Sequence, residues 1–349
     1  MDNRHSIDIK PGSLIMIVGS PEIGGLTSSY RDAFEALGFK TQIYNIFAAI
    51  DRNCRLGALG RKINNYLPIE SWRRKANRDF VAAIVEANPQ IVITIGSVPV
   101  NAGALAQIKA STQARLAHVW PDTLSNLGIE SIQSFQLYNL IATYSKSSVS
   151  ILQQLCASKI VWLPLACDPV LHPKLICTES EKIELGADIT FIGGWRPERA
   201  AILELLGNFN LKIWGPEWNR YCEKKSVSLN AWQGRSLRGA EFAKAVASSR
   251  INLNIIDPTN YPAANMRFFE IPCAGGLEVC SPCPEMEQEF KQGETIFYYS
   301  EGAELPDLLD QLLSDRKLIQ KVSAASHETV KNGHTYIHRA KLLLESLSG

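Results

Sequence analysis

Short apolar runs alternate with helix-length amphipathic stretches along the whole chain. Runs at 13–19 (SLIMIVG), 41–46 (TQIYNI), 90–96 (QIVITIG), 115–120 (RLAHVW), 140–144 (LIATY) and 160–165 (IVWLPL) predict six strands. Five more follow at 188–193 (DITFIG), 211–215 (LKIWG), 251–256 (INLNII), 277–280 (LEVC) and 295–299 (TIFYY). These runs are rich in Ile, Val and Leu without strict alternation, the pattern of strands covered on both faces. Between them, Trp72, Ala76, Phe80 and Ile84 recur every four residues, one stripe of a helix facing a core. Residues 27–37, 101–110, 197–206, 238–249, 304–313 and 335–347 read similarly, and Pro197 suits a first helical position, where its missing N–H costs nothing. Repeated β-α-β alternation predicts an α/β fold with parallel sheets.

The stretch 166–187 (ACDPVLHPKLICTESEKIELGA) breaks this rhythm with two prolines and a charged tail. Together with a length of 349 residues, it predicts two doubly wound, Rossmann-like domains facing a central cleft. The expected boundaries are an N-terminal domain at 1–170, a linker at 171–186, a C-terminal domain at 187–333, and a last helix at 334–349.

Composition narrows the class. Hydrophobic residues make up 46% and charged residues 20%, which excludes bulk disorder, and 36 Lys/Arg against 35 Asp/Glu excludes a protein-wide basic field for nucleic acid. The near-balance hides an asymmetry, because residues 1–170 hold 16 basic and 12 acidic side chains. The excess sits in 51–79, with eight Lys/Arg (52, 55, 61, 62, 73, 74, 75, 78) and three acids, interleaved with Leu56, Leu59, Ile63, Tyr66 and Leu67. This stretch is either a solvated helix face or a surface for an anionic or lipid-linked acceptor or a membrane. The polar start MDNRHSIDIKPG and the absence of a long apolar run predict a cytoplasmic protein, with peripheral contact at the inner face of the membrane as the extension of the basic stretch. Eight scattered Cys read as reduced thiols; only Cys280 and Cys283 are close in sequence, a weak candidate for redox or metal chemistry.

Several chemistries lack their motifs. There is no G-x-x-x-x-G-K-[ST], no G-x-S-x-G and no H-E-x-x-H, and the first strand is followed by GSPEIGG instead of G-x-G-x-x-G. No Asp-x-Asp occurs, so a donor diphosphate would be neutralised by Arg, Lys and helix N-termini, and neither a metal nor another cofactor is expected.

The second half carries an ordered set of segments: Asp188-Ile-Thr-Phe-Ile-Gly-Gly-Trp-Arg-Pro-Glu-Arg199, Ile213-Trp-Gly-Pro-Glu-Trp218, Asn265-Met-Arg-Phe-Phe-Glu270 with Ala274-Gly-Gly276, and Gly333-His-Thr-Tyr-Ile-His-Arg339. In this order and spacing they resemble the CgeB-like, spore-maturation-type glycosyltransferases of the GT-B fold, over roughly 187–345. Leu163-Pro-Leu-Ala-Cys-Asp-Pro169 extends the resemblance more weakly. The resemblance implies transfer of a sugar from a nucleotide-sugar donor to an unidentified acceptor, without a metal. It also implies backbone approach to the donor phosphates at Gly193 and Gly194, charged contacts from Arg196, Arg199 and Arg267, and ribose binding by Glu270, whose two oxygens suit a vicinal diol. Arg196 and Arg199 have an alternative as solvated first-turn residues paired with Glu198 or Glu204.

Trp214, Gly215, Pro216 and Trp218 are candidates for the nucleobase pocket or for wall packing, and Asn265, Asp257 and Asn260 lie on the loop where the donor sugar would rest. Glu270 and Glu278 reproduce an E-x7-E spacing by accident: the Glu before the Ala-Gly turn is Glu270, so its partner would fall at 262, which is Pro. Gly24 and Gly25 follow the first strand as an acceptor and phosphate loop. If the transfer inverts configuration it needs a base near the acceptor hydroxyl, and Asp122 or His118 is the candidate, His118 having the alternative of a core residue. His334, Tyr336 and Arg339 open the last helix, which the resemblance implies crosses back to the N-terminal domain, so they read as an interdomain hinge. Two other functions remain open on the same residues: a nucleotide-sugar epimerase or hydrolase, and a non-catalytic sugar-nucleotide-binding scaffold.

Overall fold

The inner apolar runs become strands because each is covered on both faces, whereas the edge runs are only partly covered. In the computed structural model, which describes residues 9–22, 24–55 and 57–348, β1 (Leu14–Val18), β2 (Lys40–Tyr44), β3 (Ile91–Ile95), β4 (Arg115–Trp120), β5 (Leu140–Thr143) and β6 (Lys159–Trp162) form one sheet in the order β2-β1-β3-β4-β5-β6. A second sheet has the order β11-β10-β9-β7-β8, from β7 (Ile189–Ile192), β8 (Leu211–Trp214), β9 (Ile251–Asn254), β10 (Glu278–Cys280) and β11 (Phe297–Tyr298). Every strand pairing in both sheets is parallel. All eleven expected strands are present, and β3 is buried at every position.

The chain forms two compact units, one up to Pro164 joined by the chain from Tyr336 onward, the other Leu165–Thr335. In the second unit, successive strand residues enter opposite layers, as the pleat requires. Phe191 and Ile213 join one apolar layer with Leu203, Trp218 and Leu309. Ile192 and Trp214 join the other with Leu237, Phe242, Val246 and Ile271. In the first unit the helix Tyr336–Ser348 packs on the helix Leu26–Ala36, with Tyr336 edge-on to Tyr30 at 5.2 Å and Arg339 Nε donating to Pro164 O at 2.8 Å. Tyr336 and Arg339 are thus packing residues of that unit.

Residues 171–186, expected as a linker, are instead folded into the second unit. The helix Glu179–Leu185 starts with a reciprocal capping box between Thr178 and Glu181 and packs on the helix Gly239–Ser248. Leu185 and Cys177 are buried there, which binds the segment to the sheet. The charged tail that looked like a linker is the solvated side of a helix.

In each sheet the chain winds outward one way from its first strand and then crosses to the other side. This places topological switch points between β1 and β3 and between β7 and β9, where ligands of such sheets bind beyond the carboxyl ends.

Leu343 is fully buried in the last helix and Leu342 beside it is not. Leu343→Ala is expected to cost about 2–5 kcal/mol of unfolding free energy by denaturant titration, and Leu342→Ala within about 0.5 kcal/mol of none. Equal effects would contradict the packing of this helix.

Candidate active site at a sheet switch point

β7 ends at Ile192, and the chain turns through Gly193, Gly194 and Trp195 into the helix Pro197–Glu204, with Arg196 as its N-cap. Arg199, one turn into this helix, folds back across the switch point. Its Nε donates to Ile255 O beyond β9 at 3.1 Å, its Nη1 to Gly194 O beyond β7 at 2.9 Å, and its guanidinium lies over the Phe191 ring. Arg196, more exposed, pairs with Asp257 at 3.2 Å. The other Asp257 oxygen accepts from the Thr259 N–H and hydroxyl. Neither arginine pairs with Glu198 or Glu204; Glu204 instead accepts from Val227 and Ser228.

Arg267 opens the helix Arg267–Cys273, stacks over Phe242 at 4.6 Å and donates to Ile192 O at 3.1 Å. It also donates to Glu270 one turn on. Burial first, and then the positive charge of Arg199, lower the Arg267 guanidinium to about 10, so it stays protonated near neutrality. Arg199 is likewise lowered, chiefly by burial, with Asp257 acting the other way. Glu270 is buried, with its second oxygen 3.7 Å from His172 Nε2. Burial and Arg267 push His172 down to about 4, so the imidazole is neutral and this contact is not an ion pair.

The glycine turn is built by close packing. Gly215 sits at φ +152°, and a Cβ there would lie 1.9 Å from Gly193 O, so only glycine lets the loops after β7 and β8 touch. The N–H of Gly193 is bonded to Trp214 O, and its carbonyl accepts from Trp218 Nε1 at 3.0 Å. Backbone donation to a phosphate from Gly193 is therefore excluded in this arrangement. Trp214 and Trp218 are buried wall residues and do not line a base pocket: Trp214 lies in the layer of Ile192 and Phe242 beneath Arg235, and Trp218 meets Phe191 edge-on.

Asn265, expected at the donor sugar, is committed elsewhere. Its amide exchanges two hydrogen bonds with Asn254, and its Oδ1 also accepts from Phe268 N in the first turn of the next helix. Asn254 in turn donates to Glu278 Oε1 at 2.8 Å. Glu278 is buried, and burial raises it to about 8, so the carboxyl is protonated at neutral pH; Cys280, Cys283 and Tyr298 interact with it and, like Tyr299, are themselves raised by burial. The two thiols are thus held away from the thiolate that redox chemistry needs, and among the described residues no group of three or more His, Cys, Asp and Glu is arranged around a metal position. Asn260 forms a turn, its N–H bonded to Asp257 O, and His334 stacks on Phe269 with Nε2 2.8 Å from Glu289, a packing role within the second unit.

In the first unit, His118 is a core residue. Its Nδ1 is 2.8 Å from Thr94 Oγ1, its ring packs among Trp120, Phe135 and Tyr138, and burial lowers it to about 4. Asp122 uses both oxygens on Thr123 N and Asn126 Nδ2 to close the turn after β4, which leaves it poorly placed as a base. Gly24, at φ +81°, and Gly25, the N-cap of Leu26–Ala36, form the turn beyond β1. Sequence reasoning missed His172, Phe242 and Asn254; of these, only Asn254 left a signal, as an amide in an otherwise apolar strand.

A raised carboxyl makes stability depend on pH. The folded chain holds the Glu278 proton up to about pH 8, whereas an unfolded Glu releases it near pH ~4.3, so stability falls as pH rises between these values and levels off above. Glu278→Gln is expected to remove this decline: denaturant titrations from pH 5 to 8 should show the variant gaining on the wild type with pH. Parallel curves would contradict the buried, protonated state.

Residues 196–345 match the model of a glycosyl transferase-like family. No curated protein matches the chain by sequence. Among solved structures it is similar to sucrose-phosphate synthase from Thermosynechococcus elongatus, with a TM-score of 0.67 and 12% identity over 95% of this chain and 98% of that one. A glycosyltransferase from Rickettsia africae gives 0.66 and 14% over 97% and 98%. HepE of Anabaena, solved in complex with UDP-glucose, gives 0.65 and 11% over 96% and 99%. The chain thus carries a glycosyl transferase-like domain over most of its second unit and has the two-sheet fold of GT-B glycosyltransferases.

Proposed function

We propose that the enzyme transfers a sugar from a nucleoside diphosphate donor, held at the β7/β9 switch point, to an acceptor not yet identified, and that it does so without a metal. One observation carries this reading. Three guanidiniums, Arg196, Arg199 and Arg267, converge there; Asp257 pairs with Arg196 and Glu270 with Arg267, while Arg199 is hydrogen-bonded to main-chain carbonyls. Buried like charges that lower one another are relieved by an anion, and the leaving diphosphate gains negative charge as the glycosidic bond breaks. Charge fixed in advance on carbonyl anchors needs no reorganisation at that moment.

In this reading Arg199 and Arg267 face the diphosphate, Arg196 assists from the more exposed side, and Glu270 exchanges its bond to Arg267 for the ribose hydroxyls. Gly194 remains the backbone position for phosphate contact, and Asp257 and Asn260 flank the sugar. A uridine donor is the first to test, since HepE binds UDP-glucose and shares the fold. The ordered segments at 188–199, 213–218, 265–270 and 333–339 support the CgeB-like kind within this class.

The proposal extends to peripheral membrane contact through the basic stretch 51–79. The helix Gly57–Tyr66 leaves Leu59, Ile63 and Tyr66 exposed at i, i+4 and i+7, with Leu67 following, while Arg61 and Lys62 lie beside them; Leu56 is outside the described residues. From Arg52 to Ile69 the sequence has four basic residues and no acid, which suits an anionic lipid surface and opposes pairing with a second copy. No described helix is long and apolar enough to cross a membrane.

Two measurements test these assignments. By calorimetry, Arg267→Ala is expected to weaken UDP about ten- to a hundredfold, the range of a charge-assisted contact. Glu270→Gln should weaken UDP about tenfold and leave inorganic pyrophosphate undiminished; equal loss of both would remove the ribose role. In sedimentation with vesicles, the protein should bind those containing phosphatidylglycerol more than pure phosphatidylcholine, and lose this with Tyr66→Ser and Leu67→Ser. Binding indifferent to lipid charge would contradict the membrane contact.

A further inference from the structure

Glu278 occupies a strand position that burial alone would give to Val, Leu or Ile, and it is the acidic side chain of β10. A carboxyl taken out of water is costly unless it is hydrogen-bonded, so its presence here, bonded to Asn254, calls for a reason. That bond begins a chain with a fixed direction. Glu278 Oε1 accepts from Asn254 Nδ2; the same nitrogen donates to Asn265 Oδ1 at 3.0 Å, and Asn265 Nδ2 returns a bond to Asn254 Oδ1 at 2.8 Å. Asn265 Oδ1 then accepts from Phe268 N at 3.1 Å, one of the backbone donors that a helix start leaves without an intrahelical partner.

The two amides form a symmetric pair that could be satisfied with both flipped. Flipping them would turn Asn254 Oδ1 toward Glu278 and Asn265 Nδ2 toward Phe268 N, setting a donor against a donor. The Phe268 N–H requires an oxygen of Asn265, and in that orientation Asn254 Nδ2 faces Glu278, where the carbonyl oxygen of the protonated carboxyl accepts it. The helix held this way is short, Arg267–Cys273, contains Pro272, and carries both Arg267 and Glu270 in its first turn. We propose that Glu278 is a positioning residue of the donor site: through Asn254 and Asn265 it fixes the first turn of the helix Arg267–Cys273, and with it the directions of Arg267 and Glu270.

The inference rests on the donor being held by Arg267 and Glu270, and its test separates the two. UDP affinity is measured by calorimetry on the full chain for the wild type, Arg267→Ala, Glu278→Leu, Glu278→Gln, Asn265→Ala and the double variant Glu278→Leu/Asn265→Ala. The expected result is a loss of about tenfold for Glu278→Leu and for Asn265→Ala, with the double variant no weaker than either, because both cut one path. Glu278→Gln, which keeps the acceptor oxygen, should bind like the wild type. This rescue and the non-additivity are readouts that a general loss of packing would not produce. If Glu278→Leu does not fold, Glu278→Gln and Asn265→Ala carry the test through their opposite outcomes. UDP binding that depends on Arg267 but is unchanged by Asn265→Ala or Glu278→Leu, or losses that add in the double variant, would overturn the relay while leaving the donor site standing. Binding indifferent to Arg267 would overturn the donor site and the relay with it.

Discussion

The second unit depends on keeping positive charge in place at the end of a parallel sheet without cancelling it. Arg199 and Arg267 are held by the carbonyls of Ile255, Gly194 and Ile192, backbone groups that the strands themselves fix. Arg267 also pairs with the Glu270 carboxylate, whereas the carbonyl dipoles on Arg199 orient its guanidinium without adding a counter-charge. Aromatic faces complete the support, Phe191 beneath Arg199 and Phe242 beneath Arg267. The surrounding structure follows from this arrangement: a glycine pair of loops close enough to touch, a tryptophan bonded to Gly193 O, and a capped short helix that aims Arg267 and Glu270.

The fold was readily legible because its signal is dense. Strands buried on both faces leave continuous apolar runs, and all eleven were visible as such, with boundaries shifted by a residue or two at most ends. What misled was polarity on one side of a helix. Glu179, Glu181, Lys182 and Glu184 made 171–186 look like a linker, while Leu185, one position in a short helix, is what buries it against the sheet. A single apolar anchor is too weak a periodic signal to outweigh four charges.

The site was legible where chemistry and local motif coincide. Arginines just after a glycine turn and a Glu before an Ala-Gly turn announce themselves, and the structure brings Arg196, Arg199, Arg267, Glu270 and Asp257 to one sheet end. Side chains whose roles depend on distant partners did not. Asn265 sits beside Arg267 in sequence, and only the position of Asn254 on β9 shows that its amide is spent on the helix start. Trp214 and Trp218 lie at and after a strand end as nucleobase-pocket residues would, yet the pleat turns Trp214 into one apolar layer and Trp218, opening the helix Trp218–Tyr221, packs into the other. His118 illustrates the same limit: its strand is buried from Leu116 onward, and the imidazole is enclosed by Trp120, Phe135 and Tyr138.

The central claim is that charge held on carbonyls recognises the diphosphate of the donor. The most direct measurement is calorimetry of uridine, UMP and UDP against the wild-type chain at two salt concentrations. Affinity is predicted to rise steeply from uridine to UDP, with the UDP increment shrinking at high salt less than an exposed charge pair would, because the site is partly buried. Uridine, UMP and UDP binding alike, or none of them binding, would contradict it.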